Sequence, residues 1–114
     1  GPSELVVQVR ELQRALLDLG ACLAGLKTCD WLAHVVQLEE LITANTLADP
    51  MAGFVLQGQS PAGAALQLAR TAARRAERRW LAATSGPGPE LAWLNRLSKL
   101  LFVLALKAEA LARN

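Results

Sequence analysis

Arg70, Arg74, Arg75, Glu77, Arg78 and Arg79 place five of the chain's nine arginines within ten residues. Each guanidinium presents a planar fork of N–H donors, the geometry that grips carboxylates and phosphates. On a helix Arg70, Arg74, Glu77 and Arg78 stand at i, i+4, i+7 and i+8 and share a face, with Arg75 and Arg79 in a second row beside it. One glutamate does not neutralise five arginines, so the segment requires an anion, or acids from another helix or subunit. The plain reading is a solvated polar face with an internal Glu–Arg pair. The sharper one is a polyphosphate site. Single-stranded nucleic acid would want stacking aromatics among the basic groups, and of these Trp80 alone is near, which argues against a nucleic-acid partner.

Other groups offer less. Asn95, Arg96 and Lys99 form a polar patch in which Asn95 and Lys99 are one turn apart. His34 is the only histidine; with no second imidazole or cysteine at ligand spacing it does not make a metal site, and it reads as a partly buried or surface helix residue. Ser60, Ser85 and Ser98 have no companion histidine nearby for nucleophilic catalysis. Gly86-Pro87-Gly88-Pro89 lacks the Lys and Ser/Thr of a phosphate-binding loop, and its prolines remove donors. Cys22 and Cys29, with no signal-like segment, read as reduced, small apolar residues of a cytoplasmic protein.

The elements that must position these groups are helices. Of 114 residues, 53% are apolar; 23 are Leu and 21 Ala, against 13 β-branched residues and no Tyr. That excludes an all-β or α/β domain. The charges, 12 basic and 10 acidic, balance to +2, too even for a polyanion binder by composition alone. The longest apolar run, Leu100 to Leu106, is far short of the ~20 residues that span a bilayer, so no membrane partner is expected. A single domain over residues 3–114 is expected, with Gly1 and Pro2 read as a cleavage scar.

From Ser3 to about Ala24, Leu5, Val9, Leu12, Leu16, Leu19 and Leu23 form one stripe. Gly25 supplies a stop, and Thr28 or Asp30 a cap for a second helix carrying Trp31, Val35, Leu38 and Ile42 and ending near Asn45. A long connector, about Thr46 to Gln59, contains Phe54. Ser60-Pro61 is a strong start signal for the third helix, where Ala62, Ala65, Ala69, Ala72 and Ala76 make a row of small residues suited to close approach of a neighbouring helix. After the break at Ser85 to Pro89, the fourth helix carries Leu94, Leu97, Leu101, Leu104, Ala108 and Leu111. These seams predict an all-α, antiparallel four-helix bundle.

The same residues resemble a known family. Phe54-Val55-Leu56-Gln57-Gly58-Gln59-Ser60, the run Ala65 to Arg70, the run Arg74 to Arg79 and the run Trp93 to Val103 look like the ATP:cob(I)alamin adenosyltransferases of the propanediol-utilisation type. Leu12-Gln13 and Leu17 to Ala21 resemble that family's second helix. The resemblance implies a five-helix bundle assembled as a homotrimer, with ATP and cobalamin bound at each subunit interface and the adenosyl group of ATP passed to reduced cobalt. On matching positions Arg70 would be an interface salt-bridge residue. Arg74, Glu77, Arg78 and Asn95 would surround the nucleotide, and Phe54 would displace the lower ligand of cobalt. Trp80 and Lys99 are further expected ligand contacts.

The chain departs from that pattern. It begins at what resembles the second helix, without the Thr- and Gly-rich phosphate-binding segment. It carries Lys99 where the family has Asp, and Leu56-Gln57-Gly58-Gln59 in place of Leu-Pro-Gly-Gly. These departures favour a diverged member that keeps the interface cleft for a different small ligand. The alternatives are an active adenosyltransferase, or an enzyme of unrelated chemistry using Arg74, Glu77 and Trp80.

Overall fold

The computed structural model describes residues 2–26, 28–46, 59–83 and 88–113. They form four helices, α1 (Pro2–Leu23), α2 (Trp31–Asn45), α3 (Pro61–Ala83) and α4 (Pro89–Arg113), with no strand among the described residues. The chain is all-α, as its Leu- and Ala-rich composition requires. Phe54 and its neighbours Leu56, Gln57 and Gly58 lie outside the described residues, as do Ser85 to Pro87.

The helix ends are set by local chemistry. Gly25, at φ 80°, closes α1: its N–H donates to Cys22 O at 3.1 Å and Leu26 N–H to Ala21 O at 3.0 Å. This pair of bonds satisfies the last carbonyls of a helix around a left-handed residue that glycine adopts freely. Of the two expected caps for α2, Asp30 serves, accepting from Ala33 N–H at 3.1 Å. Thr46 closes the helix by donating both its N–H and its hydroxyl to Ile42 O, at 2.9 and 2.7 Å. Ser60 caps α3, its Oγ accepting from Gly63 N–H at 2.9 Å, and Pro61 takes the first helical position.

Cys22 and Cys29, expected as reduced thiols, are instead joined by a disulfide. The turn at Gly25 folds the chain back and brings their Cα atoms to 5.1 Å, within bridging distance. The loop chemistry that ends α1 thus also sets up the cross-link, which residue type alone does not reveal.

Contacts along the helices fix the topology. Ser60 meets Glu109 and Arg70 meets Phe102, so α3 and α4 are antiparallel. Gln8 meets Asn45 and Asp18 meets His34, so α1 and α2 are antiparallel too. Asn45 bonds Lys107 and Glu39 bonds Arg96, so α2 and α4 run the same way, as an up-down-up-down bundle demands. α4 is the central helix: Trp93, Leu97, Leu100, Leu101, Val103, Leu104, Ala105, Leu106 and Ala108 are all buried. Leu12 and Leu19 of α1, Leu38, Leu41 and Ile42 of α2, and Ala73 of α3 complete the core.

Two stripes sit differently from the sequence pattern. On α1, Leu12, Ala15, Leu19 and Cys22 face inward, while Leu16 is 41% exposed; the side chain of Leu23 lies outside the described set. On α3 the alanine row is exposed, and the adjacent row Gly63, Leu66, Arg70, Ala73 and Glu77 faces α4 instead. This row meets α4 first at the start of α3. Buried Glu109 accepts from both Ser60 N–H (3.2 Å) and Ser60 Oγ–H (3.0 Å), and its Oε1 occupies the space that a Cβ on Gly63 would need. A Cβ there would displace that carboxylate, so glycine permits this close approach, and Leu66, Arg70, Ala73 and Glu77 follow on the same face of α3. No helix of the described residues is long and apolar enough to cross a membrane.

Candidate functional site

With α3 so rotated, its charged residues divide into two groups. Arg74, Arg75, Arg78 and Arg79 are exposed, and Arg70 and Glu77 are half-buried toward α4. The Arg70 guanidinium lies over the Phe102 ring at 5.0 Å from its centroid, a cation–π contact that holds the side chain along the helix. Arg70 Nε and Glu77 Oε1 are buried yet have no hydrogen-bond partner among the described residues. The internal Glu–Arg pair of the plain reading therefore does not form among them, and the exposed guanidiniums have no carboxylate there either. A buried polar atom without a partner costs about 1–3 kcal/mol. The donor set, planar forks one turn apart on a solvent-facing helix, suits the oxygens of a polyphosphate.

Asn95 and Lys99 occupy the flank of α4 that faces α2. Both line a groove of about 400 Å³ together with Glu39, Ile42, Thr43 and Arg96. Arg96 bridges this groove, donating from Nε to Glu39 Oε1 and from Nη1 to Asn95 Oδ1, each at 3.0 Å. Lys99 is exposed, and Glu39 supplies Arg96 with an acid from α2. The α3–α4 register, read from Ser60 against Glu109 and Arg70 against Phe102, puts Arg74, Glu77 and Arg78 at the height of Asn95 and Lys99. No hydrogen bond or ion pair joins the two groups among the described residues. Within one chain they share a level of the bundle but not a cleft.

Trp80 is 37% exposed and borders two hollows. One, about 500 Å³ and shallow, runs along α3 beside Arg75 and Arg79. The other lies between helices at the end of the bundle, with Trp31 and Trp93. Arg74 reaches neither, so Arg74, Glu77 and Trp80 do not converge in a single chain.

His34 is buried rather than superficial, with Nε2 at 3.6 Å from Asp18 Oδ2 and its ring edge-on to Trp31. Among the described residues no three His, Cys, Asp or Glu side chains gather as metal ligands. Sequence reasoning missed a polar junction at the other end of the bundle. There buried Asn45 donates to Gln8 Oε1 (3.1 Å) and to Leu41 O (2.7 Å), and accepts from Lys107 Nζ at 2.9 Å. An Asn near the end of an apolar stripe is a weak signal, because the same residue type serves equally as a cap.

Comparison with known proteins bears on what the arginine face is for. The profile of the family described as cobalamin adenosyltransferase matches residues 2–108. A corrinoid adenosyltransferase of Mycobacterium leprae (strain TN) is 47% identical over 78 residues, 63% of this chain and 41% of that protein. Corrinoid adenosyltransferases of Mycobacterium bovis (strain ATCC BAA-935 / AF2122/97) and Mycobacterium tuberculosis (strain ATCC 25618 / H37Rv) are each 36% identical over 113 residues, 85% of this chain and 58% of theirs. The chain thus spans about half the length of the curated relatives it matches. No solved structure matches it. A match over nearly the whole chain, through the arginine segment and the Asn95 patch alike, makes this all-α bundle a member of the cobalamin adenosyltransferase family.

Proposed function

We propose that the arginine face of α3 binds the polyphosphate of a nucleotide in a cleft between subunits of a homotrimer, and that the reaction served is adenosyl transfer from ATP to a corrinoid. The observation that carries this reading is the set Arg74, Arg75, Arg78 and Arg79, exposed and without a carboxylate partner among the described residues. Arg74 and Arg78 hold phosphate oxygens, with Arg75 and Arg79 adding charge. Glu77 Oε1 and Arg70 Nε, buried and without a partner among the described residues, find theirs in the ligand or in the neighbouring subunit. Asn95, at the same height on α4, belongs to the cleft only if a second subunit closes it. The exposed alanine row beside the arginines suits such an approach, since small side chains let helices come close.

When bound, reduced cobalt supplies the nucleophile and ATP the adenosyl group. This chain's part is to bind, orient and neutralise the triphosphate as it leaves. A second reading, that the cleft now takes a different anionic small molecule, is favoured by exposed Lys99, which adds one more cation at the level of the arginines.

The test is to incubate the protein with ATP and reduced cobalamin and follow the visible spectrum. Adenosylcobalamin formation above the no-protein control is expected. Its absence, with a rise in melting temperature on adding ATP or another polyphosphate, would favour the second reading. No ligand response of either kind would overturn both.

A further inference from the structure

The groove between α2 and α4 holds a hydrogen-bonded chain of three side chains. Arg96 of α4 donates from Nε to Glu39 Oε1 of α2 and from Nη1 to Asn95 Oδ1, each at 3.0 Å. We propose that Glu39 is a positioning residue for the nucleotide site, a role that rests on Asn95 bordering the nucleotide as proposed above. Through Arg96, Glu39 holds the Asn95 amide with its N–H donors turned toward the ligand.

The direction of the amide follows from donor and acceptor chemistry. A guanidinium has five N–H donors and no acceptor, so the Asn95 atom that meets it is the oxygen, and the amide nitrogen points away. Among the described residues Nδ2 of Asn95 donates to no other group. Asn95 therefore offers donors, which suit a phosphate oxygen, a ribose oxygen or a ring nitrogen, and it has less to offer a ligand donor.

Glu39 keeps the guanidinium in place. Consecutive residues of a helix project about 100° apart and do not face each other, so a bond from Arg96 to Asn95 requires the guanidinium to be held out of its own direction. Arginine transmits that hold because its fork is planar and rigid, with one nitrogen pinned to α2 and another turned to Asn95. Of the two cations lining the groove, Arg96 and Lys99, it is Arg96 that takes the Glu39 carboxylate. The Arg96 and Glu39 side chains are 37% and 48% exposed, so their pair adds little to stability. Its consequence is the orientation of Asn95.

Two accounts of Glu39 predict opposite signs. As a bare negative charge near a polyphosphate it repels, and its removal tightens ATP; as a positioning residue its removal frees the guanidinium and weakens ATP. ATP is titrated calorimetrically into the parent and into Glu39→Ala, Glu39→Gln, Asn95→Ala and Arg74→Ala proteins, each checked by circular dichroism and melting temperature. Glu39→Ala should bind ATP about fivefold more weakly at an unchanged melting temperature. Glu39→Gln, whose amide oxygen still accepts from Arg96 Nε, should recover most of the lost affinity. In the Asn95→Ala background, Glu39→Ala should cause no further loss, because the group it positions is gone. ATP binding by Glu39→Ala equal to or tighter than the parent's, or a full further loss in the Asn95→Ala background, would overturn the positioning role while Arg74→Ala still weakened ATP and the arginine reading stood. No ATP binding by the parent, or binding indifferent to Arg74→Ala, would overturn the arginine reading and this role with it.

Discussion

Gly63 has no room for a side chain, because the carboxylate of Glu109 stands where a Cβ would go. Gly63→Ala must push that carboxylate off Ser60, breaking the bonds from Ser60 N–H and Oγ–H and loosening the start of α3. A loss of about 2 kcal/mol or more is expected in chemical denaturation, and unchanged stability would contradict the packing described. Asn45 is the corresponding residue on the other helix pair. Asn45→Ala leaves the Lys107 ammonium, 16% exposed, without its 2.9 Å acceptor, and should cost about 1–3 kcal/mol by the same measurement. Neither role was legible in the sequence. The partners lie 49 and 62 residues away, and a buried Glu or Asn is recognised only once the fold supplies its donors. The cap at Asp30, the stop at Gly25 and the start at Ser60-Pro61 were legible because each acts on backbone within a few residues.

Helices are the scale at which sequence and structure agree most, and rotation is where they part. Spacing placed α1 to α4 within a residue or two, since 3.6-residue periodicity and capping are local. It did not place α3's inward face, because Gly63, Leu66, Arg70, Ala73 and Glu77 and the neighbouring alanines are both regular rows. Distant contacts with α4, among them Gly63 with Glu109 and Arg70 with Phe102, distinguish them. The same rotation turns Arg70 and Glu77 inward and leaves the remaining arginines in solvent. The α1–α2 connection carries a prediction of its own. Reducing the Cys22–Cys29 disulfide frees a short loop, and a fall of about 2 kcal/mol in stability is expected, seen as a lower melting temperature in dithiothreitol. Replacing both cysteines by alanine should give the same fall and abolish the reductant's effect; a melting temperature indifferent to reductant would contradict it.

Across the whole molecule the bundle has a polar end, where Asn45, Lys107, Ser60 and Glu109 tie the helices together, and an aromatic end, where the three tryptophans meet. The arginine face lies between them on the outside of α3, at the height of Asn95 yet not in contact with it. If the proposed inter-subunit cleft is right, a homotrimer is expected by light scattering, and a stable monomer would contradict the interface site. What the sequence could convey about this site was residue type and spacing. Which chain completes it is a property of assembly, and neither periodicity nor capping encodes that.

If the α3 arginines hold a polyphosphate, calorimetric titration with inorganic triphosphate detects the binding without adenosine or cobalt. Binding that weakens steeply with added salt is expected, since exposed charges are screened within about 10 Å at 0.1 M ionic strength. The Arg74→Ala and Arg78→Ala proteins, each folded as judged by circular dichroism, should bind about tenfold more weakly. Triphosphate binding equal in the parent and in both variants, or no binding at low salt, would show that the arginine face does not hold a polyphosphate.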